Sequence, residues 1–362
     1  MSEGQSRSTG TSTGPEPDAV TAHVPDADER SRVERVAREA GQPASRWSRL
    51  MDSSVGRNLG LVGVLVILCI IGVATADTFA TRSNVLTILT SSSVIGVITV
   101  GATFVIIGGG IDLSVGKVMA LASVWATTAQ TQSYGPWVMV LCAVLVGMGC
   151  GLVNGVLIAY GRVVPFIATL AMLITAQGLA ERISRKQSQI VTQQAINDIA
   201  TRRWFGVPVL VYIFAAVVVV GWIVLNRTTF GRRTFAIGGN AEAARLAGVN
   251  VQRHTAALYV VSGLCAGIAA IMIASLTTTG SSTHGTLYEL DAIAAVIIGG
   301  TLLTGGRGTL VGSILGVLVF TTITNLFVLN NLATEVQNIA KGVIIVAAVL
   351  FQSRAQRTSS VT

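Results

Sequence analysis

Residues 85–107 read VLTILTSSSVIGVITVGATFVII, 23 positions without a charge, and the run 108–117, GGGIDLSVGK, follows at once. A helix needs roughly 20 apolar residues to cross the hydrocarbon core of a bilayer. The first stretch meets that length, and three successive glycines then interrupt it. Nine further apolar stretches lie outward from it, giving ten candidate spans: about 58–76, 85–107, 114–131, 136–160, 164–181, 206–226, 255–278, 287–304, 308–329 and 334–352. The runs are continuous rather than alternating, which favours helices over the strands of a membrane barrel. The expectation is an all-α polytopic membrane helix bundle of about ten transmembrane helices.

Composition agrees. Of the 362 residues, 51% are hydrophobic and 12% charged, and the mean hydropathy is +0.67. A soluble domain carries about 25% charged residues. Half of that cannot cover a water-facing surface, so a soluble enzyme is excluded. The net charge of +8 is unevenly spread. Residues 1–57 hold 8 Lys/Arg against 9 Asp/Glu, and residues 58–362 hold 17 against 8. The basic residues of the apolar part sit in short loops without a dense stripe, so they read as topology signals and not as a nucleic-acid surface. With the N-terminus inside, and Arg46, Arg49 and Arg57 of the flank counted, 12 basic residues fall on the cytoplasmic side, including Arg162, Arg232, Arg233 and Arg307, against 6 outside. The 182–205 loop dissents. Ten spans then place both termini in the cytoplasm.

Three regions follow: a polar, disordered cytoplasmic tail at 1–57, a membrane domain at 58–352 with a cytoplasmic loop at 227–254, and a short cytoplasmic tail at 353–362. The first tail lacks the apolar region of a signal peptide. Residues 32–39 could form a short charged helix, and Arg46, Trp47, Arg49 and Arg57 suit interfacial anchors. Cys69, Cys142, Cys150 and Cys265 lie in apolar runs without a CxxC pair, and His23, His254 and His284 are far apart. Neither a disulfide framework nor a metal site is expected. Gly147, Gly151 and Gly155 recur every four residues, as do Gly263 with Gly267 and Gly312 with Gly316. Such spacing lets helix backbones approach closely in lipid. The pattern GGxxxxVG occurs at 109–116 and again at 305–312, a weak internal echo of the kind that repeat-built transporters carry.

Four stretches carry the candidate chemistry. Residues 108–117 superficially resemble a phosphate loop. Five residues separate Gly110 from Gly116 where that loop needs four, and Val118 stands where a Ser or Thr would bind magnesium. The stretch reads instead as a helix break, with Asp112 and Ser114 either capping the next helix or touching a substrate. Residues 306–312 give GRGTLVG, which no strand precedes, so they read as a tight turn and not a dinucleotide site. Glu289 and Asp291 stand in an apolar run, where acids are costly and tend to face a cavity or a partner. They could recognise a polar substrate, relay protons or cap a helix. With Asp112 and Asn154 they form the candidate translocation pathway, and Gln177, Asn325 and Asn338 are further polar residues in or near spans. Finally, Asn240 can cap a short exposed helix over 241–247, closed by Gly248. A small helix between two spans suits docking into a partner's groove.

Gly109 to Gly116, Pro165-Phe166-Ile167-Ala168-Thr169-Leu170, Ala236-Ile237-Gly238-Gly239-Asn240, Glu289-Leu290-Asp291-Ala292-Ile293-Ala294, and Ile298-Gly299-Gly300-Thr301 followed by Gly305-Gly306-Arg307-Gly308 occur in this order over about 58–352. Together they resemble the ribose-type permeases of bacterial ABC sugar importers. Glu242-Ala243-Ala244-Arg245-Leu246-Ala247-Gly248 is similar to the EAAxxxG loop by which importer permeases engage their ATPase. The resemblance implies a transport subunit, not an enzyme, in the bacterial cytoplasmic membrane. It implies a second permease copy or paralogue, an ABC ATPase that holds ATP and magnesium, and an extracytoplasmic sugar-binding protein. No cofactor is expected on this chain. Gly239, Asn240, Glu242, Ala243, Ala244 and Gly248 would then form the ATPase-coupling loop. A branched-chain amino acid or a nucleoside as cargo, or an ion-coupled secondary transporter using Asp112 or Glu289, are the alternatives.

Overall fold

The computed structural model describes residues 54–359. Most of the polar tail lies outside them, including the expected helix at 32–39, His23 and the anchors Arg46, Trp47 and Arg49. The chain order is α1 (Ser54–Thr75), α2 (Arg82–Ile107), α3 (Val115–Ala126), α4 (Ala129–Ser133), α5 (Pro136–Ala159), α6 (Pro165–Ser184), β1 (Gln189–Ile190), α7 (Gln194–Thr201), β2 (Arg203–Trp204), β3 (Val207–Pro208), α8 (Val209–Arg227), α9 (Thr229–Gly239), α10 (Ala241–Leu246), α11 (Val251–Thr277), β4 (Thr279–Gly280), α12 (Tyr288–Ile298), α13 (Leu310–Leu329) and α14 (Thr334–Ser359).

Among the described residues, seven helices are long and apolar enough to cross a membrane: α1, α2, α5, α6, α8, α11 and α13. The expected full spans at 114–131 and 287–304 are not continuous helices. They contain α3 and α12, of 12 and 11 residues. At 1.5 Å per residue each is about 17 Å long, roughly half of a 30 Å core. The second stops at Gly299-Gly300, with Gly300 at φ 82°, and the first stops at Thr127-Thr128, between α3 and α4. Gly109 ahead of α3, and Gly305 and Gly306 ahead of α13, also take positive φ values, of 73 to 86°.

The extended stretch ahead of α3 satisfies its backbone inside the bundle, as any non-helical segment at membrane depth must. Gly110 N donates to Val105 O at 2.9 Å, and Ile111 O accepts from the Tyr259 hydroxyl at 3.4 Å.

α11 is the most deeply buried of the long helices and packs on α5 and α2. The α5 contact runs along the small residues. A side chain at Gly147, Gly151 or Gly155 would collide with the backbone of Gly263, Tyr259 or Ala256. Lipid tails supply no hydrophobic drive between helices, so close van der Waals packing takes its place. α1 is almost unburied, and Leu141, Leu145 and Leu152 of α5 are exposed, as lipid-facing side chains would be.

The two ends of the bundle differ. One carries a cap in which β1 pairs antiparallel with β4 and β2 with β3. Gln132 stitches this cap together: its amide nitrogen donates to Thr127 O and Ile190 O, and its oxygen accepts from Thr192 N and Oγ1. The other end carries α9 and α10. α2 joins the two, starting beside the β2–β3 hairpin and ending beside Gly238.

Candidate translocation core and docking loop

Asp112 sits just ahead of α3 and is 4% exposed. One carboxylate oxygen accepts from Ser114 N at 3.0 Å and Ser114 Oγ at 2.6 Å, and the other accepts from Ser262 Oγ on α11 at 2.8 Å. Asn154 on α5 donates from Nδ2 to Ser114 Oγ at 3.0 Å. Its Oδ1 has no hydrogen-bond partner. Two of the expected pathway residues therefore meet, in a node that ties the helix break to α5 and α11. Ser114 does not cap α3 with its own hydroxyl. Instead Asp112 takes its N–H in a turn of the kind short acids favour. The space beside Asp112, Ser114 and Gly151 admits no water in this conformation.

Glu289 and Asp291 stand in the first turn of α12, buried at 7% and 5% exposure. Asp291 pairs with Lys341 of α14, Nζ lying 3.2 Å from Oδ2, and the same ammonium stands 5.4 Å over the Phe320 ring. Glu289 Oε2 has no hydrogen-bond partner. Asp112 with Asn154, Glu289, and Asp291 thus occupy three separate settings. Asn84 and Asn325 exchange side-chain amide hydrogen bonds at 3.0 and 2.8 Å, tying α2 to α13.

At the opposite end the expected short helix is present as α10. Asn240 caps it by accepting from Ala243 N at 2.9 Å, and Gly248 closes it at φ 82°, with Val249 N donating back to Ala244 O. Ala243 and Glu242 are exposed and Ala244 is buried. Arg245 hydrogen-bonds Glu242 in a two-pronged contact and holds its carboxyl below the usual carboxylate range. Leu246, an apolar side chain, is 80% exposed at the end of the helix.

The preceding stretch, read as loop in the sequence, is helix α9. Thr228 caps it, and Thr234 Oγ1 bonds His254 Nε2 of α11 at 2.8 Å, with the His254 ring 4.4 Å from that of Phe230. α9 ends in a backbone junction. Gly306 N donates to Ile107 O at 2.8 Å. Gly238 presses on the Ile107 carbonyl, and a Cβ on Gly305 would lie 2.8 Å from Gly109 Cα. The two GGxxxxVG segments therefore touch each other, and both touch the chain that leads into α10. A cleft of about 370 Å³ opens beside this junction, lined by Gly108, Ile237, Asn240, Val251, Tyr259 and Thr304.

Sequence reading missed Ser262 and Lys341, and gave Leu246 and Gly238, which it placed in motifs, no role of their own. Serine and glycine are too common in membrane helices to stand out. Lys341 carried a signal, because an intramembrane cation usually has an acid to pair with.

The family model for the permease component of the branched-chain amino acid transport system matches residues 84–349. The ribose import permease of Bacillus subtilis is 35% identical over 318 residues, covering 86% of this chain and 98% of its own. The L-arabinose transport system permease of Escherichia coli is 36% identical over 325 residues, covering 88% and 97%. The L-arabinose ABC transporter permease of Azospirillum brasilense is 35% identical over 292 residues, covering 81% and 86%. No solved structure matches the chain. A multi-pass membrane protein by its helices, the chain belongs to this family of transport permeases.

Proposed function

We propose that the chain is the membrane permease of an ATP-driven importer that moves a monosaccharide across the bacterial cytoplasmic membrane. Relatives spanning nearly its whole length are named for ribose and arabinose, and these support the cargo class. The observation that carries the mechanism is α10, an exposed, doubly capped helix set on the junction where both helix breaks meet.

In this reading α10 enters a groove of a separate ATPase, which holds ATP and magnesium. Gly239, Asn240, Glu242, Ala243, Ala244 and Gly248 form the docking loop, with Ala243 at the contact and Ala244 holding the helix to the bundle. Closure of the ATPase moves α10, and the backbone junction passes that motion to the breaks before α3 and α13. Asp112 and Asn154 hold the first break as one unit with α5 and α11. A conformational change needs partners that favour different states. ATP on the inner side and an extracytoplasmic sugar-binding protein on the outer side supply them. The bundle then has ten membrane-embedded segments, two of them interrupted, with both termini cytoplasmic. The exposed apolar faces are met by lipid and a second permease.

Ala243→Asp places a charge in the docking groove without touching the bundle. Uptake of radiolabelled ribose or arabinose should fall at least tenfold, while the amount of permease in the membrane is unchanged. Wild-type uptake by this variant would remove α10 as the docking element.

A further inference from the structure

α3 and α12 start side by side. A Cβ on Gly116, in the first turn of α3, would collide with Glu289 Oε2 and lie 2.5 Å from Gly285 O. From there α3 runs toward the β-strand cap, where Thr127 bonds Gln189, and α12 runs toward the glycine junction. The two half-length helices thus leave one point in opposite directions, with their N-termini at it. N–H groups of a first turn lack intrahelical partners and carry partial positive charge. Paired half-helix termini of this kind line the substrate sites of several transporter folds.

A second, independent feature marks the point. Glu289 is more than nine-tenths buried, and its Oε2 lacks a hydrogen-bond partner there. A buried acceptor left open is costly, and native structures seldom keep one without a use. Lys117 stands beside it on α3, half-buried, and donates from Nζ to Thr286 Oγ1 at 2.9 Å. Glu289 and Glu181 both lie within electrostatic reach of Lys117. Gln177 hydrogen-bonds Glu181 one turn away on α6. Acids and a lysine at the ends of apolar helices face water or a partner rather than lipid.

We infer that Lys117, Thr286 and Glu289 form the station at which the permease holds a neutral, hydroxyl-rich sugar in transit. The inference rests on the importer reading above. Each sugar hydroxyl both donates and accepts. Glu289 Oε2 supplies an acceptor, the Lys117 ammonium a donor, and Thr286 both. Glu289 already balances the lysine and the helix termini, so the point has no spare positive charge for a carboxylate or phosphate. Gly116, without a side chain, lets the Glu289 carboxylate and the Gly285 carbonyl lie against the first turn of α3. The node at Asp112, with both carboxylate oxygens engaged, is scaffold to this station.

The test uses the complete transporter, with its ATPase and binding protein, and radiolabelled ribose and arabinose. Glu289→Gln and Lys117→Met should each lower maximal uptake at least tenfold, with membrane amount and ATPase co-purification unchanged. Glu289→Asp should recover part of the loss. Thr286→Cys, in a chain whose four cysteines are changed to serine, should react with a membrane-impermeant thiol reagent. Leu141→Cys, on the exposed face of α5, should not. Wild-type uptake by both charge variants overturns the station, and so does a Thr286→Cys as unreactive as Leu141→Cys. If the unmodified chain carries neither sugar while Thr286→Cys still reacts, the monosaccharide reading falls and the water-filled path remains.

Discussion

Asp112 and Glu289 make a matched pair of buried acids. Each stands at the start of a half-length helix, and their exposures are 4% and 7%. They differ in what their oxygens meet. Three donors from Ser114 and Ser262 reach Asp112 and engage both of its oxygens, which pins the start of α3 to α11. Glu289 keeps Oε2 open beside Gly116 and Lys117. Burial therefore does not separate a structural acid from a working one. The inventory of donors does, because a carboxylate with both oxygens engaged has less left to offer a solute.

Removing the engaged acid should have the largest effect. Asp112→Ala leaves the Ser114 N–H and the Ser262 hydroxyl buried without their acceptor. Each such group costs about 1–3 kcal/mol, and net stabilities are only about 5–15 kcal/mol. Detergent extraction of Asp112→Ala should yield little folded permease, whereas Glu289→Gln should extract like the unmodified chain. Equal yields from the two variants would erase the distinction between them.

That distinction was only half legible in the sequence. Both acids stood out, because charge is rare in these apolar runs. Their settings did not, since Ser262 lies 150 positions from Asp112 and resembles any serine in a membrane helix. Hydropathy found the apolar segments yet merged α3 and α12 with their flanks, because Thr127-Thr128 and Gly299-Gly300 break a helix without lowering hydropathy much. α10 was legible because Asn240 and Gly248 punctuate it. α9 was hidden by Gly231, Arg232, Arg233 and Gly238, residues that read as loop. Gly231 is in fact required by packing, since a side chain there would strike the Leu225 carbonyl. The echo between 109–116 and 305–312 was visible as pattern, and only the fold shows the two segments in contact.

Asp291 supplies a third kind of buried acid, one neutralised by a cation. Its partner Lys341 is the described link of charge between α12 and α14, and both side chains are largely buried. Lys341→Met should cost about 3–5 kcal/mol, because it strands a buried carboxylate. Adding Asp291→Asn should restore most of that loss, since exchanging both partners for neutral groups is often nearly neutral. Thermal midpoints of the single and double variants in detergent give the cycle. A double variant no better than Lys341→Met would mean that the pair does more than cancel charge.

Glycines of the loop end extend the contrast from acids to backbone, with a smaller effect. Gly305 has φ 86°, and a Cβ there would stand 2.8 Å from Gly109 Cα. A left-handed L-residue costs about 1–2 kcal/mol, and overpacking adds about 1–3 kcal/mol. Gly305→Ala should therefore lower the thermal midpoint and separate the two breaks that meet there. Gly239, one residue past the junction at the end of α9, has no atom within 4 Å of the position its Cβ would take. Gly239→Ala should leave the midpoint unchanged or slightly raised. Its uptake then reports on the docking surface alone: a stable Gly239→Ala permease that no longer transports has lost its partner, not its fold. If Gly305→Ala keeps both stability and uptake, the backbone contact between the two segments transmits nothing, and α10 must act on the bundle through the Thr234–His254 bond to α11 instead.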